Sequence, residues 1–171
     1  MTKRNRVIFY LLLLSPFFSI GQSKHNRIND LYSYVDQADS LSEKFNRTFF
    51  LEKYLKDNYN YKESWRYSEK SGKVFYFEVN YILDSTEYTE VYYLNHGSLV
   101  CSEEYEKINY SYAEDELKYG GIYYFDSAVP RNIVVLGKKD HDVPYGHPEY
   151  AVLDRFEKRY SELKRHIPML P

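Results

Sequence analysis

Lys73 to Leu83 alternates, with Phe75, Phe77, Val79, Tyr81 and Leu83 on one side and Tyr76, Glu78 and Asn80 on the other. That period is the signature of a half-buried strand. Asp84-Ser85-Thr86 supplies a turn, Tyr88 to Leu94 returns, and Asn95-His96-Gly97 turns again where glycine tolerates positive φ. Ser98 to Tyr105 makes a third strand. Tyr119-Gly120-Gly121 punctuates the entry to Ile122–Phe125, and Ile133 to Leu136 forms a fifth strand. The pattern predicts an antiparallel hairpin meander of about five strands over residues 73–137.

Apolar residues upstream fall at helical spacing: Ile28, Leu31, Val35, Ala38, Phe45 and Phe49, with Asp30, Asp36, Glu43 and Lys44 on the other side. A helix is expected over about 26–56, with Asn46-Arg47-Thr48 as a weak point. Trp65 then stands ahead of the first strand, placed to plug the core beneath that helix. Downstream, Pro148 opens a second helix over about 148–167 that carries Val152, Phe156, Tyr160, Leu163 and Ile167 as its stripe. Lys164, Arg165 and His166 complement its carboxyl end. Helix, antiparallel strands, helix is an α+β layer. With both helices on one side, the sheet would keep a second, tyrosine-rich face open.

The first residues read differently. Lys3, Arg4 and Arg6 precede an apolar run from Val7 to Ile20 that Ser15, Pro16 and Ser19 interrupt. This is the pattern of a secretory signal peptide over residues 1–21, with Gln22 as the first mature residue and 22–171 as a single domain. No cysteine near the cut offers a lipid attachment point, so no stable membrane anchor is expected after cleavage. Removing residues 1–21 takes away three basic groups and no acid, so the formal charge falls from −2 to −5. A mildly acidic chain is a poor partner for nucleic acid, whose binding comes from neutralised phosphates. Cys101 is the only cysteine, so no intramolecular disulfide forms. It reads as a small buried hydrophobe on a strand.

Candidate chemistry is sparse. Asp140-His141-Asp142, His147 and Glu149 form the one cluster suited to a metal or to acid/base work, with His141, Asp142 and His147 as ligands. Pro144, Gly146 and Pro148 mark the same segment as a turn-rich linker. Glu104 and Glu106 share a strand face, which reads as a solvated edge. No phosphate loop, GxSxG elbow or SxxK pair is present, and nothing calls for a cofactor. The outlier is tyrosine, at 21 of 171 residues. Tyrosine gives a large contact area at low entropic cost, which suits protein or glycan recognition, and it equally suits the boundary of a half-buried sheet. Tyr76, Tyr93 and Tyr123 are the candidate binding residues.

Tyr92-Tyr93-Leu94-Asn95-His96-Gly97-Ser98-Leu99 resembles the "YYF-x-NG-x-L" hairpin that recurs in small exported α+β proteins of Bacteroidota, with one residue inserted. Tyr123-Tyr124-Phe125-Asp126 echoes it without the glycine, a longer Ser127–Arg131 connection replacing the turn. The resemblance implies fold and export. Asp84-Ser85-Thr86 and Asp126-Ser127-Ala128 are similar to the O-glycosylation acceptor of exported proteins from that phylum, which makes Ser85 and Ser127 candidate acceptors. The expected function is a non-catalytic binding or interaction protein of the cell envelope, periplasmic or extracellular. The alternative is a metal-dependent or other hydrolase using the Asp140–Glu149 segment.

Overall fold

Seven antiparallel strands lie side by side in chain order, each joined to the next as a simple meander. The computed structural model describes residues 27–54, 60–110, 112, 114–137 and 148–169. The strands are β1 (Asn46–Tyr54), β2 (Asn60–Lys70), β3 (Lys73–Leu83), β4 (Thr86–Asn95), β5 (Ser98–Ile108), β6 (Glu116–Asp126) and β7 (Val129–Gly137). Helix α1 covers residues 27–42, and α2 covers Pro148–His166. The fold is therefore α+β with an antiparallel sheet, and the sheet is larger than the expected five strands.

Of the two extra strands, β1 comes from the stretch expected to prolong the first helix and β2 from the segment between that helix and the expected sheet. The helix stops at residue 42, and Asn46-Arg47-Thr48 starts β1. Phe49 and Leu51 then face the core while Phe50 and Tyr54 are exposed, an alternation that overrides the helical spacing of Phe45 and Phe49. In β2, Glu63, Trp65 and Tyr67 point to one face. Trp65 stacks on Phe49 at 5.7 Å and Phe77 at 6.2 Å, on the side of α2 and not beneath α1.

The helices cover opposite faces, which corrects the expectation of one covered and one open face. Val152, Phe156 and Leu163 of α2 pack with Trp65, Phe77, Tyr92 and Leu94. Val35 and Ala38 of α1 pack with Tyr76, Val91, Tyr93 and Cys101. Central strands are apolar on both sides: in β4 the whole run Val91-Tyr92-Tyr93-Leu94 is buried. A sheet of that composition needs cover on both faces.

Two of the four register shifts among the described strands adjust the pattern on the α1 side. Ser68 pairs with Tyr76 and Glu69 with Val74, so Phe75 is an extra residue. It turns toward α1 beside Tyr76, and strict alternation with Phe77 is lost. Likewise Tyr93 pairs with Cys101 and Leu94 with Leu99, which leaves Val100 on the α1 side. Cys101 is buried as expected.

The turns β2–β3, β4–β5 and β6–β7 share one end of the sheet and are built alike. Ser71-Gly72, His96-Gly97 and Ser127-Ala128 all have positive φ at both residues, the twist that tight hairpins prefer. The second echo of the hairpin is thus a tight turn like the first, despite lacking glycine. Helix α1 crosses the strands near this end. Arg27 meets Asp126 at 3.5 Å, Tyr32 accepts from Asn132 Nδ2 at 2.6 Å, Tyr34 donates to the Leu94 carbonyl, and Ser42 O accepts from Ser68 Oγ at 3.4 Å. The other half of that face lies beyond the helix.

Candidate functional site

Tyr76, Tyr93 and Tyr123 are 2%, 4% and 1% exposed, so none of them forms an open recognition face. Tyr76 and Tyr93 sit opposite each other on β3 and β4, with their rings 5.4 Å apart beneath α1. Tyr123 points the other way, where its hydroxyl pairs with that of Tyr119. A side chain on Gly121 would place Cβ 2.6 Å from the Tyr119 hydroxyl, so glycine is what lets that pair close. The expected tyrosine surface fails because each hydroxyl finds a partner inside the fold: Tyr93 donates to Asp39 Oδ1 at 3.3 Å, and Tyr76 donates to Glu78.

Beneath α2 lies a row of buried charge. Glu63, Glu90, Glu104 and Glu106 are all buried, none more than 6% exposed, which corrects the reading of Glu104 and Glu106 as a solvated edge. Arg159 donates Nε to Glu90 Oε2 at 2.8 Å and Nη1 to Glu63 Oε1 at 2.7 Å. Arg155 donates Nε to Glu104 Oε1 at 2.9 Å. Trp65 Nε1 and the Tyr92 hydroxyl each donate at 2.9 Å, to Glu63 and Glu90 respectively. Burial works to raise the Glu90 carboxyl, and the Arg159 guanidinium with the Tyr92 hydroxyl overcomes it and holds the group below the usual range. Glu63, Glu90 and Glu104 are engaged in fastening a helix to a sheet, since buried charges persist only when paired and hydrogen-bonded. The sequence signal was present: acids at inward strand positions, and two arginines four residues apart beside the apolar stripe of α2.

The part of the α1 face that the helix leaves uncovered carries a second polar array. Arg66 Nη2 donates to the Tyr76 hydroxyl at 2.7 Å and also to Glu78. Asn80 Nδ2 donates to the other oxygen of Glu78, and Thr89 Oγ1 donates to Asn80 Oδ1 at 2.7 Å. One strand further on, Tyr105 donates to Glu103 Oε2 at 2.8 Å. The Tyr105 ring lies over Gly120, where an added Cβ would meet it at 3.5 Å. Register places Glu78, Val91 and Glu103 in one row across β3, β4 and β5. Arg66, Glu78, Asn80, Thr89, Glu103 and Tyr105 are all partly exposed.

The two carboxylates of this row differ. Burial pushes Glu78 up, but hydrogen bonds from Tyr76 and Asn80 and the charge of Arg66 outweigh it, leaving the group below the usual range. Burial raises Glu103, the Tyr105 hydroxyl opposes this only in part, and the charges of Asp39 and Glu78 add to the rise. The arrangement offers fixed donors and acceptors beside an aromatic ring on the partly exposed sheet face. It was missed in the sequence because its members are ordinary outward positions on four separate strands.

His141, Asp142 and His147 lie outside the described residues. Among the described residues no group of three His, Cys, Asp or Glu is placed to hold a metal ion. Glu149 sits in the first turn of α2. Ser85 and Ser127 are both exposed in turns: the Ser85 carbonyl accepts from Asn109 N at 2.9 Å, and Ser127 Oγ donates to Asp126 Oδ1 at 3.3 Å. No described helix is long and apolar enough to cross a membrane. Compared with protein-family models, curated proteins and solved structures, the chain matches none.

Proposed function

We propose that the chain is an exported, non-catalytic binding protein of the cell envelope that takes a glycan on the half of the sheet beyond α1. The observation carrying this reading is the array Arg66, Glu78, Asn80 and Thr89, locked by mutual hydrogen bonds and adjoining Glu103 under Tyr105. Sugars present hydroxyl pairs to planar amide, carboxylate and guanidinium groups and stack their apolar faces on aromatic rings. Groups already held in place lose little freedom on binding, which favours affinity from a shallow surface. A protein partner instead calls for an apolar centre of large side chains, whereas here polar groups flank a single buried valine, Val91.

Export rests on the expected leader over residues 1–21. The carboxylates of the other face support a binding role, because Glu63, Glu90 and Glu104 serve Arg155 and Arg159. Titration of the mature chain with peptidoglycan fragments and envelope oligosaccharides tests the proposal. Saturable binding that Thr89→Arg abolishes supports it. Binding unaffected by that substitution, or seen only with protein partners, contradicts it.

A further inference from the structure

At the turn end of the sheet, between α1 and the β2–β3 and β4–β5 hairpins, is an open cavity of about 330 Å³. That volume falls at the lower end of the range for small-molecule sites. Its floor is apolar, from Ala38 and Leu41 of α1, Val74 and Phe75 of β3 and Leu94 of β4. Its rim carries Lys70, Lys73 and His96, and no aspartate or glutamate is among the lining residues. On a chain of net charge −2 that is an uneven distribution.

Lys70 and Lys73 are directly opposite in the register, flanking the Ser71-Gly72 turn. Like charges facing each other across a strand pair destabilise a sheet. Neither lysine has an ion pair among the described residues, although most other basic groups near the sheet have one, as at Lys53, Arg66, Lys107, Arg155 and Arg159. Two uncompensated cations above an apolar floor match a molecule with an anionic head and an apolar body. A neighbouring cavity of about 280 Å³ shares Lys73 and His96 but includes Glu69, which makes it the poorer anion site.

We infer that the first cavity binds a free amphiphile with a single anionic head, the carboxylate of a medium-length acyl chain. The head lies between Lys70 and Lys73, and the tail rests on Leu41 and Phe75, the partly exposed residues of the floor. The site is separate from the glycan surface, because it lies at the turn end under α1. Its occupation screens the Lys70–Lys73 repulsion, so the ligand also stabilises the fold by linkage.

Calorimetric titration of the mature chain with octanoate, 1-octanol and octyltrimethylammonium tests this, alongside sedimentation with phosphatidylglycerol vesicles. Octanoate is expected to bind saturably at about millimolar strength or tighter. A Lys70→Glu/Lys73→Glu double variant should weaken it at least tenfold while melting normally, since both side chains are exposed. Leu41→Asp, with the lysines intact, should weaken it comparably. Octanoate binding no tighter than octanol, or unchanged by charge reversal, overturns the inference. So does binding to vesicles with none to octanoate.

Discussion

Arg159 of α2 grips Glu90 of β4 with two parallel hydrogen bonds, Nε to Oε2 at 2.8 Å and Nη2 to Oε1 at 3.1 Å. The same guanidinium reaches Glu63 of β2, so one side chain ties the helix to strands on both sides of β3. Removing one partner of a buried pair leaves the other charged and desolvated, which costs about 3–5 kcal/mol. Arg159→Ala is therefore expected to lose about that much in urea denaturation. Adding Glu90→Gln should restore part of the loss, and a double variant no more stable than the single would refute the coupling.

Three carboxylates shift, two downward and one upward, which gives opposite pH responses. Glu78 and Glu90 are lowered in the fold, so their stabilisation is present above the unfolded carboxylate range and is lost as pH falls through their folded values. Glu103 is raised, so its contribution is favourable below the unfolded range and is lost as pH rises through its folded value. Glu103→Gln should raise the melting temperature at pH 7. The gain should vanish in acid, where Glu103 is protonated in both states. A gain independent of pH would count against a titration origin.

Tyr76, Tyr93 and Tyr123 are core residues on opposite faces of the sheet. Each Tyr→Ser substitution is expected to cost about 3–5 kcal/mol, the range for deleting a large buried aromatic ring. Surface tyrosines would lose within about half a kcal/mol, so denaturation of the three single variants is decisive.

Export and modification are tested together by the intact mass of protein purified from its native host. Cleavage after Gly21 with sugar at Ser85 or Ser127 is expected. A mass equal to the unmodified chain from Gln22 removes the glycosylation while keeping the cleavage, and a mass that includes residues 1–21 removes the export.

The strands from Lys73 onward were legible because β3 alternates apolar and polar residues and β4 carries a short aromatic and β-branched run, both between clear turn signals. β1 and β2 were not. Phe45 and Phe49 mimic a helical step, and Glu63, Ser64, Arg66 and Ser68 fill β2 with polar residues, of which Glu63 is buried against Arg159 and Lys53 and Ser68 against the Ser42 carbonyl. Local spacing cannot register a partner supplied by a helix about a hundred residues later. The same reason hid the candidate surface, since Arg66, Asn80 and Thr89 become neighbours only through register. Two-sided cover was readable in principle from the unbroken apolar run of β4.

The most direct measurement for the glycan surface is amide chemical-shift mapping of the mature chain as an envelope oligosaccharide is titrated in. Perturbations should concentrate at Asn80, Thr89, Glu103, Tyr105 and Gly120, with the turns at Ser71 and His96 unmoved. Perturbations confined to those turns, to the exposed apolar strand β7 or to the α2 face would contradict the assignment.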